Sequence, residues 1–155
     1  MPTEKLKKFL DENGVKYVSI KHSPAVTSSE IAESAHIPGK KLAKTVIIEI
    51  DGRMAMAVLP SPLHVNFQLL EEATAATRIS LAGESDFTEM FPDCEVGAMP
   101  PFGNLYNMEV YVAKTLTEDD DIAFNAGSHR ELMQMKYSDF ERLVKPKILD
   151  FTDNN

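Results

Sequence analysis

A chain of 155 residues, 43% of them hydrophobic, is long enough to bury one continuous core and short enough to form one domain. Its formal charge of −8 opposes indiscriminate binding to nucleic acid, because counterion release rewards a basic surface, so any RNA contact must be local. The charged opening MPTEKLKKFLDENG and the absence of an apolar run of about 18 residues leave no visible secretion signal or membrane span; a lone Cys94 cannot close an internal disulfide, and a soluble cytoplasmic protein with neither membrane nor DNA as partner is expected.

Taken in chain order, Thr3 can cap a first helix that places Leu6, Phe9 and Leu10 on one face and ends at Gly14. Val15 to Ile20 reads as a strand. Ser28-Ser29-Glu30 offers caps for a short second helix through Ala35, and Pro38-Gly39 turns the chain. Residues 44–50 and 53–59 are apolar runs separated by Asp51-Gly52, a hairpin signal, and being apolar on both faces they are expected to be central strands covered on each side. Further helices are predicted from Asn66, with Phe67, Leu69, Leu70 and Ala73, and from about Ser85, with Phe87, Met90 and Phe91. Arg78 to Leu81, Met108 to Ala113 and Ile122 to Asn125 are strand candidates. Ser138 and Glu141 have capping-box spacing at the start of a last helix that runs through Val144 and is closed by Pro146. The irregular interleaving of helices and strands predicts an α+β fold, one domain over residues 1–150, with 151–155 a short frayed tail.

The chemistry of the chain is defined first by what is missing. There is no Gly-x-Ser-x-Gly elbow, no phosphate-binding glycine loop and no Gly-x-Gly-x-x-Gly. The four histidines lack zinc-ligand spacing, and Glu118-Asp119-Asp120-Asp121 lacks the oxygen spacing of a calcium loop, so no metal and no cofactor is expected. Cys94 lies between Asp93 and Glu95, which disfavour a thiolate, and reads as structural. His64 reads as a surface position where the chain approaches a helix.

Against that background, Gly97-Ala98-Met99-Pro100-Pro101-Phe102-Gly103 stands out. A segment with glycine at both ends and two prolines is either a tight turn or a rigid loop that aims the amides of Gly97, Ala98 and Met99 at one point, as an oxyanion or water site requires. Asn125-Ala126-Gly127-Ser128-His129 follows a strand candidate; His129 could polarise a substrate near neutral pH or simply pack. Lys44 opens the hairpin and either snorkels to solvent or points into a pocket. Lys40-Lys41 with Lys44, and Arg142 with Lys145 and Lys147, are the local basic stretches that could meet RNA or be plain solvated surface.

In order along the chain, Ala43-Lys44-Thr45-Val46-Ile47, Gly97 to Gly103 and Asn125 to His129 resemble the YbaK and prolyl-tRNA-synthetase-associated editing family, and the resemblance extends to the last helix, Tyr137 to Val144. It implies a mixed sheet curved into a barrel-like body surrounded by helices, and hydrolytic removal of a wrong, small amino acid from tRNA, with tRNA(Pro) as the expected carrier. The implied partners are the aminoacyl-tRNA acceptor end and a prolyl-tRNA synthetase–tRNA complex. By the same resemblance Lys44 matches the functional lysine, Gly97 and Pro101 the Gly-x-x-x-Pro loop, and Thr45 a pocket-lining position. Thr27, Ser28, Thr45, Met99 and Asn125 are expected to shape the pocket, with Gly127, Ser128 and His129 as further substrate contacts. An aminoacyl ester is already activated, so positioning and amide donors suffice without a catalytic triad. The alternative is a non-catalytic module that binds an aminoacyl-adenosine end or a small amino-acid-like ligand; fold alone does not decide between them.

Overall fold

A computed structural model describes residues 4–21, 37–92, 94–95 and 97–153. The elements are α1 (Glu4–Glu12), β1 (Tyr17–Lys21), β2 (Leu42–Ile50), β3 (Arg53–Pro60), β4 (His64–Val65), α2 (Phe67–Thr74), β5 (Ile79–Leu81), α3 (Glu84–Phe87), β6 (Glu109–Ala113), β7 (Asp121–Asn125), β8 (Glu131–Lys136), α4 (Tyr137–Val144), β9 (Lys147–Leu149) and β10 (Thr152–Asp153). The short helix expected over 28–35 lies outside the described residues.

The sheet is mixed, in the order β1-β8-β7-β2-β3-β6-β9, with β5 on β2. Its path runs from β1 to β9 without closing into a barrel. β2 and β3 form the predicted hairpin: Ile50 pairs with Arg53 across Asp51 (φ 47°) and Gly52 (φ 89°), the two positive φ values that a two-residue turn needs. Both faces of this hairpin are buried, as their apolar runs require. Ala43, Ile47, Met56 and Val58 join a cluster with Phe102, Phe124 and Phe140, while Ile48, Ile50, Ala55, Ala57 and Leu59 pack with Leu70, Tyr111 and Phe151 on the other side.

α1 buries Leu6 and Leu10, and its end is a Schellman arrangement: Gly14 N–H bonds to Asp11 O at 3.1 Å and Val15 N–H to Leu10 O at 3.0 Å. α2 is capped by Asn66, whose side-chain oxygen accepts from Leu69 N–H at 3.0 Å.

One strand was not foreseen, and two expectations need correction. Residues 131–136 are a strand, although Glu, Leu, Met, Gln and Lys are good helix formers; pairing with β1 on one side and β7 on the other buries Leu132 and Met133 on opposite faces and overrides the local preference. The capping box is not made, because α4 starts at Tyr137 with Lys136 as its N-cap, which puts Ser138 inside the helix, and the Glu141 carboxylate accepts from the Tyr137 hydroxyl at 3.2 Å instead. The tail is docked through Asp153: Phe151 is fully buried, and Thr152–Asp153 pair with His64–Val65, which also places His64 on an exposed strand.

Candidate functional site

β2 shares one long edge with β3, and two strands divide its other edge. β7 runs parallel to it at Leu42 and Ala43, and β5 antiparallel to it at Ile48 to Ile50. Between them, residues 44–47 have no strand partner on that edge among the described residues, and the Ala82 N–H to Ile47 O bond (3.1 Å) lies just past the end of β5. The sheet is therefore split at the Lys44-Thr45-Val46-Ile47 segment.

The two glycine segments meet here. Glu95 N–H donates to Gly127 O at 2.8 Å, and Gly127 N–H donates to Ala98 O at 2.9 Å, so the loops are laced by their backbones. The Glu95 carboxylate accepts from His129 N–H at 3.2 Å and adds a third tie. Gly97 holds φ 82°, a conformation that costs an L-residue about 1–2 kcal/mol, and a Cβ there would stand 3.5 Å from the His129 ring. Below, Pro100 and Pro101 are buried and Phe102 is fully enclosed, with ring centroids 5.5 Å from both Phe124 and Phe140. Gly103 follows in a position only glycine can occupy, because a Cβ would lie 2.5 Å from Met108 O. The loop is thus pinned at its base and presents its N-terminal half to the split.

A cavity of about 230 Å³ lies at this junction, floored by Thr45, Val46 and Ile47 and covered by Gly97 and Met99. Leu81, Ala82, Glu84 and Phe87 form its wall, and no feature of the sequence singled them out, because they come from a short strand and a one-turn helix that only folding sets opposite the loop. Glu95 was missed for the same reason. A cavity of about 250 Å³ between Ile50, Ala75 and Tyr111 belongs to the other face of the sheet and touches neither glycine loop.

Strand alternation turns Lys44 and Thr45 to opposite faces. Thr45 shares the side of Ala43 and Ile47 and lines the cavity; Lys44, opposite Leu59, shares the side of Leu42. They are neighbours in sequence, not on one wall. The parallel register that pairs Leu42 with Ala123 and Ala43 with Phe124 leads, one step on, to Asn125 beside Lys44, where the ladder ends. Asn125 Oδ1 is buried with no hydrogen-bond partner among the described residues. Burial holds the Lys44 ammonium below the ordinary lysine range.

The three amides of the Gly97 loop are not equivalent. Ala98 N–H closes a turn onto Glu95 O at 3.0 Å, and the residue is fully buried, so this amide is not available to a substrate. Ser128 Oγ is engaged by Arg130 N–H at 3.2 Å. Thr27 and Ser28 lie outside the described residues. Cys94 is half-buried beside the core, its Sγ 3.8 Å from the Tyr106 hydroxyl.

A mixed sheet split at a lysine-bearing strand, with two laced glycine loops beside the split, forms the candidate site. The model of the aminoacyl-tRNA editing domain matches residues 22–143, and the chain belongs to that family, whose reaction is deacylation of mischarged aminoacyl-tRNA. It is similar to the multifunctional Ser/Thr-tRNA deacylase ProXp-y of Escherichia coli, 24% identical over 96% of this chain and 91% of that protein. Among solved structures, a candidate trans-editing enzyme for prolyl tRNA synthetase superposes with a TM-score of 0.83 at 15% identity, covering 98% of this chain and 97% of its own. The hypothetical protein APE2540 superposes at 0.87 with 18% identity, covering 97% and 100%. Among the described residues no helix is long and apolar enough to cross a membrane.

Proposed function

We propose that this chain trans-edits tRNA(Pro) carrying a small wrong amino acid, holding the aminoacyl ester at the split in β2. The observation that carries this reading is the lacing of Gly97–Pro101 to Asn125–His129 beside the edge of residues 44–47 that no strand among the described residues pairs. In this scheme the amino-acid side chain enters the cavity between Thr45 and Met99. The amides of Gly97 and Met99 hold the ester carbonyl or the attacking water. Their value lies in being fixed before the substrate arrives, which the buried Pro101 and Phe102 secure.

Lys44 approaches from the other face of the sheet, next to Asn125, and steadies the terminal phosphate or the carbonyl oxygen. A lysine held partly out of water interacts more strongly with such an anion than a solvated one does. The ester supplies its own leaving group, and the neighbouring ribose hydroxyl helps to place the water, so a side-chain nucleophile is unnecessary. The acceptor end of tRNA is the partner; a prolyl-tRNA synthetase–tRNA complex is the larger assembly from which it is taken.

The test is a panel of tRNA(Pro) and other tRNAs charged with alanine, cysteine, serine, threonine or proline. Release of a small wrong amino acid above the uncatalysed rate, with cognate prolyl-tRNA spared, is expected. Tight binding without release in a single-turnover assay would replace the deacylase reading with a binding module, and loss of rate on substrates lacking the terminal 2′-hydroxyl would place that group in the mechanism.

A further inference from the structure

Within the basic stretches visible in the sequence, three side chains each pair with an acid: Lys40 with Asp119 at 3.9 Å, Arg142 with Asp139 at 3.3 Å and Lys147 with Glu109 at 3.8 Å. A different cationic group forms only on folding. Lys7 of α1 reaches Glu131 at 3.2 Å, Lys21 of β1 is the register partner of Glu131, and Arg130 precedes it on the turn into β8. Two cations, Lys7 and Lys21, thus flank one carboxylate, which is also held by the Ser19 hydroxyl, and Arg130 is the residue before it. Lys21 and Arg130 are exposed.

The location of this group gives it a role. Arg130 is the residue after His129, whose ring packs on Gly97 and whose N–H is bound by Glu95; Arg130 N–H itself bonds to Ser128 Oγ. Ala126 N–H bonds to Glu131 O at 3.1 Å, which ties the start of β8 to the loop that is laced to Gly97–Pro101. An ester seated under Gly97 belongs to the terminal nucleotide, and the phosphates of the single strand lead away from it, where a positively charged groove can track them. We propose that Lys7, Lys21 and Arg130 form a landing strip for the phosphates of the single-stranded 3′ end of the tRNA. This rests on the deacylase reading for the position of the ester. It reconciles a strongly acidic chain with a polyanionic substrate, since the attraction is confined to the side of the site where the strand leaves.

The experiment compares an aminoacyl-adenosine, an aminoacylated CCA trinucleotide and the full aminoacyl-tRNA. For the wild-type protein, kcat/KM should rise between the first and the second. The Lys21→Gln/Arg130→Gln variant keeps the Lys7–Glu131 pair for folding; adding Lys7→Gln completes the strip. In the triple variant kcat/KM on the trinucleotide and the tRNA should fall by about tenfold through KM, and on the tRNA the slope of log KM against log salt should drop by about two, at roughly 0.7 for each of three single-strand phosphate contacts. Turnover of the adenosine ester, which carries no phosphate, should be nearly unchanged. Equal losses on all three substrates, an unchanged salt slope, or the same loss in a Lys40→Gln/Arg142→Gln/Lys147→Gln control would each overturn the proposal. If the wild-type protein hydrolyses none of them, the deacylase reading fails, and anisotropy with uncharged labelled tRNA still decides the strip by comparing Kd for wild-type and triple variant.

Discussion

Lys44 is held partly out of water on β2, and its ammonium is disfavoured by burial. The folded pKa is lowered, so at pH values below it the native state carries a charged group it would rather not have. That cost fades as pH rises from the folded pKa to the ordinary value of 10.5. Lys44→Met should therefore raise Tm at neutral pH, the gain shrinking towards pH 10.5, while abolishing most turnover; calorimetry and deacylation on the same samples check both. A loss of stability at neutral pH would show that the charge is compensated in the fold. Gly97→Ala is the second residue-scale case. Its Cβ meets only an ordinary contact at 3.5 Å, so strain from the φ of 82° decides the outcome, at about 1–2 kcal/mol. Turnover should drop far more than Tm, because the loop that relaxes is the one that carries the amides.

Elements are where local rules and tertiary contacts compete. The Asp51-Gly52 hairpin and the Asn66 cap form as their residues dictate, and each is testable. Asn66→Ala removes the acceptor for Leu69 N–H and the donor to Asp153 Oδ2 at 3.2 Å, and should cost about 1 kcal/mol in urea unfolding. Residues 131–136 went the other way, a helix-forming composition drawn into a strand by neighbours on both sides. The same pairing brings Lys21 next to Glu131, on which the proposed cationic strip depends. Gly103 shows the limit of element reasoning: the motif marks a glycine, but only the approach of Met108 O explains it. Gly103→Ala should cost about 1–3 kcal/mol by overpacking, read as a lower urea midpoint at unchanged slope.

For the whole molecule, the two-faced sheet concentrates its aromatic packing beneath the site. Phe102 touches the rings of Phe9, Phe124 and Phe140, from α1, β7 and α4, and belongs to the same short segment as the Gly97 amides. Phe102→Ala should cost about 3–5 kcal/mol and lower Tm on the order of 10 °C. Activity should be lost before the melting transition, since the loop loses its anchor first; coincident loss of activity and fold would refute that coupling.

Composition, the two apolar runs around Asp51-Gly52 and the three ordered motifs determined a one-domain α+β chain, its central hairpin and its editing family, because each is a local pattern that the chain carries wherever it folds. The positions of Lys44, Gly97 and Asn125 along the chain belong to that legible part. Tertiary structure alone decided that Lys44 and Thr45 face opposite ways, that Ala98 spends its amide on Glu95, and that the tail is pinned through Phe151. It also decided that Leu81 and Glu84 line the candidate cavity, that Glu95 ties the two glycine loops, and that Lys7 and Lys21 meet at Glu131. The physical reason is common to all of these. Register and the division of β2's edge between β5 and β7 are settled by burial summed over several strands at once, and no single stretch of sequence contains that sum.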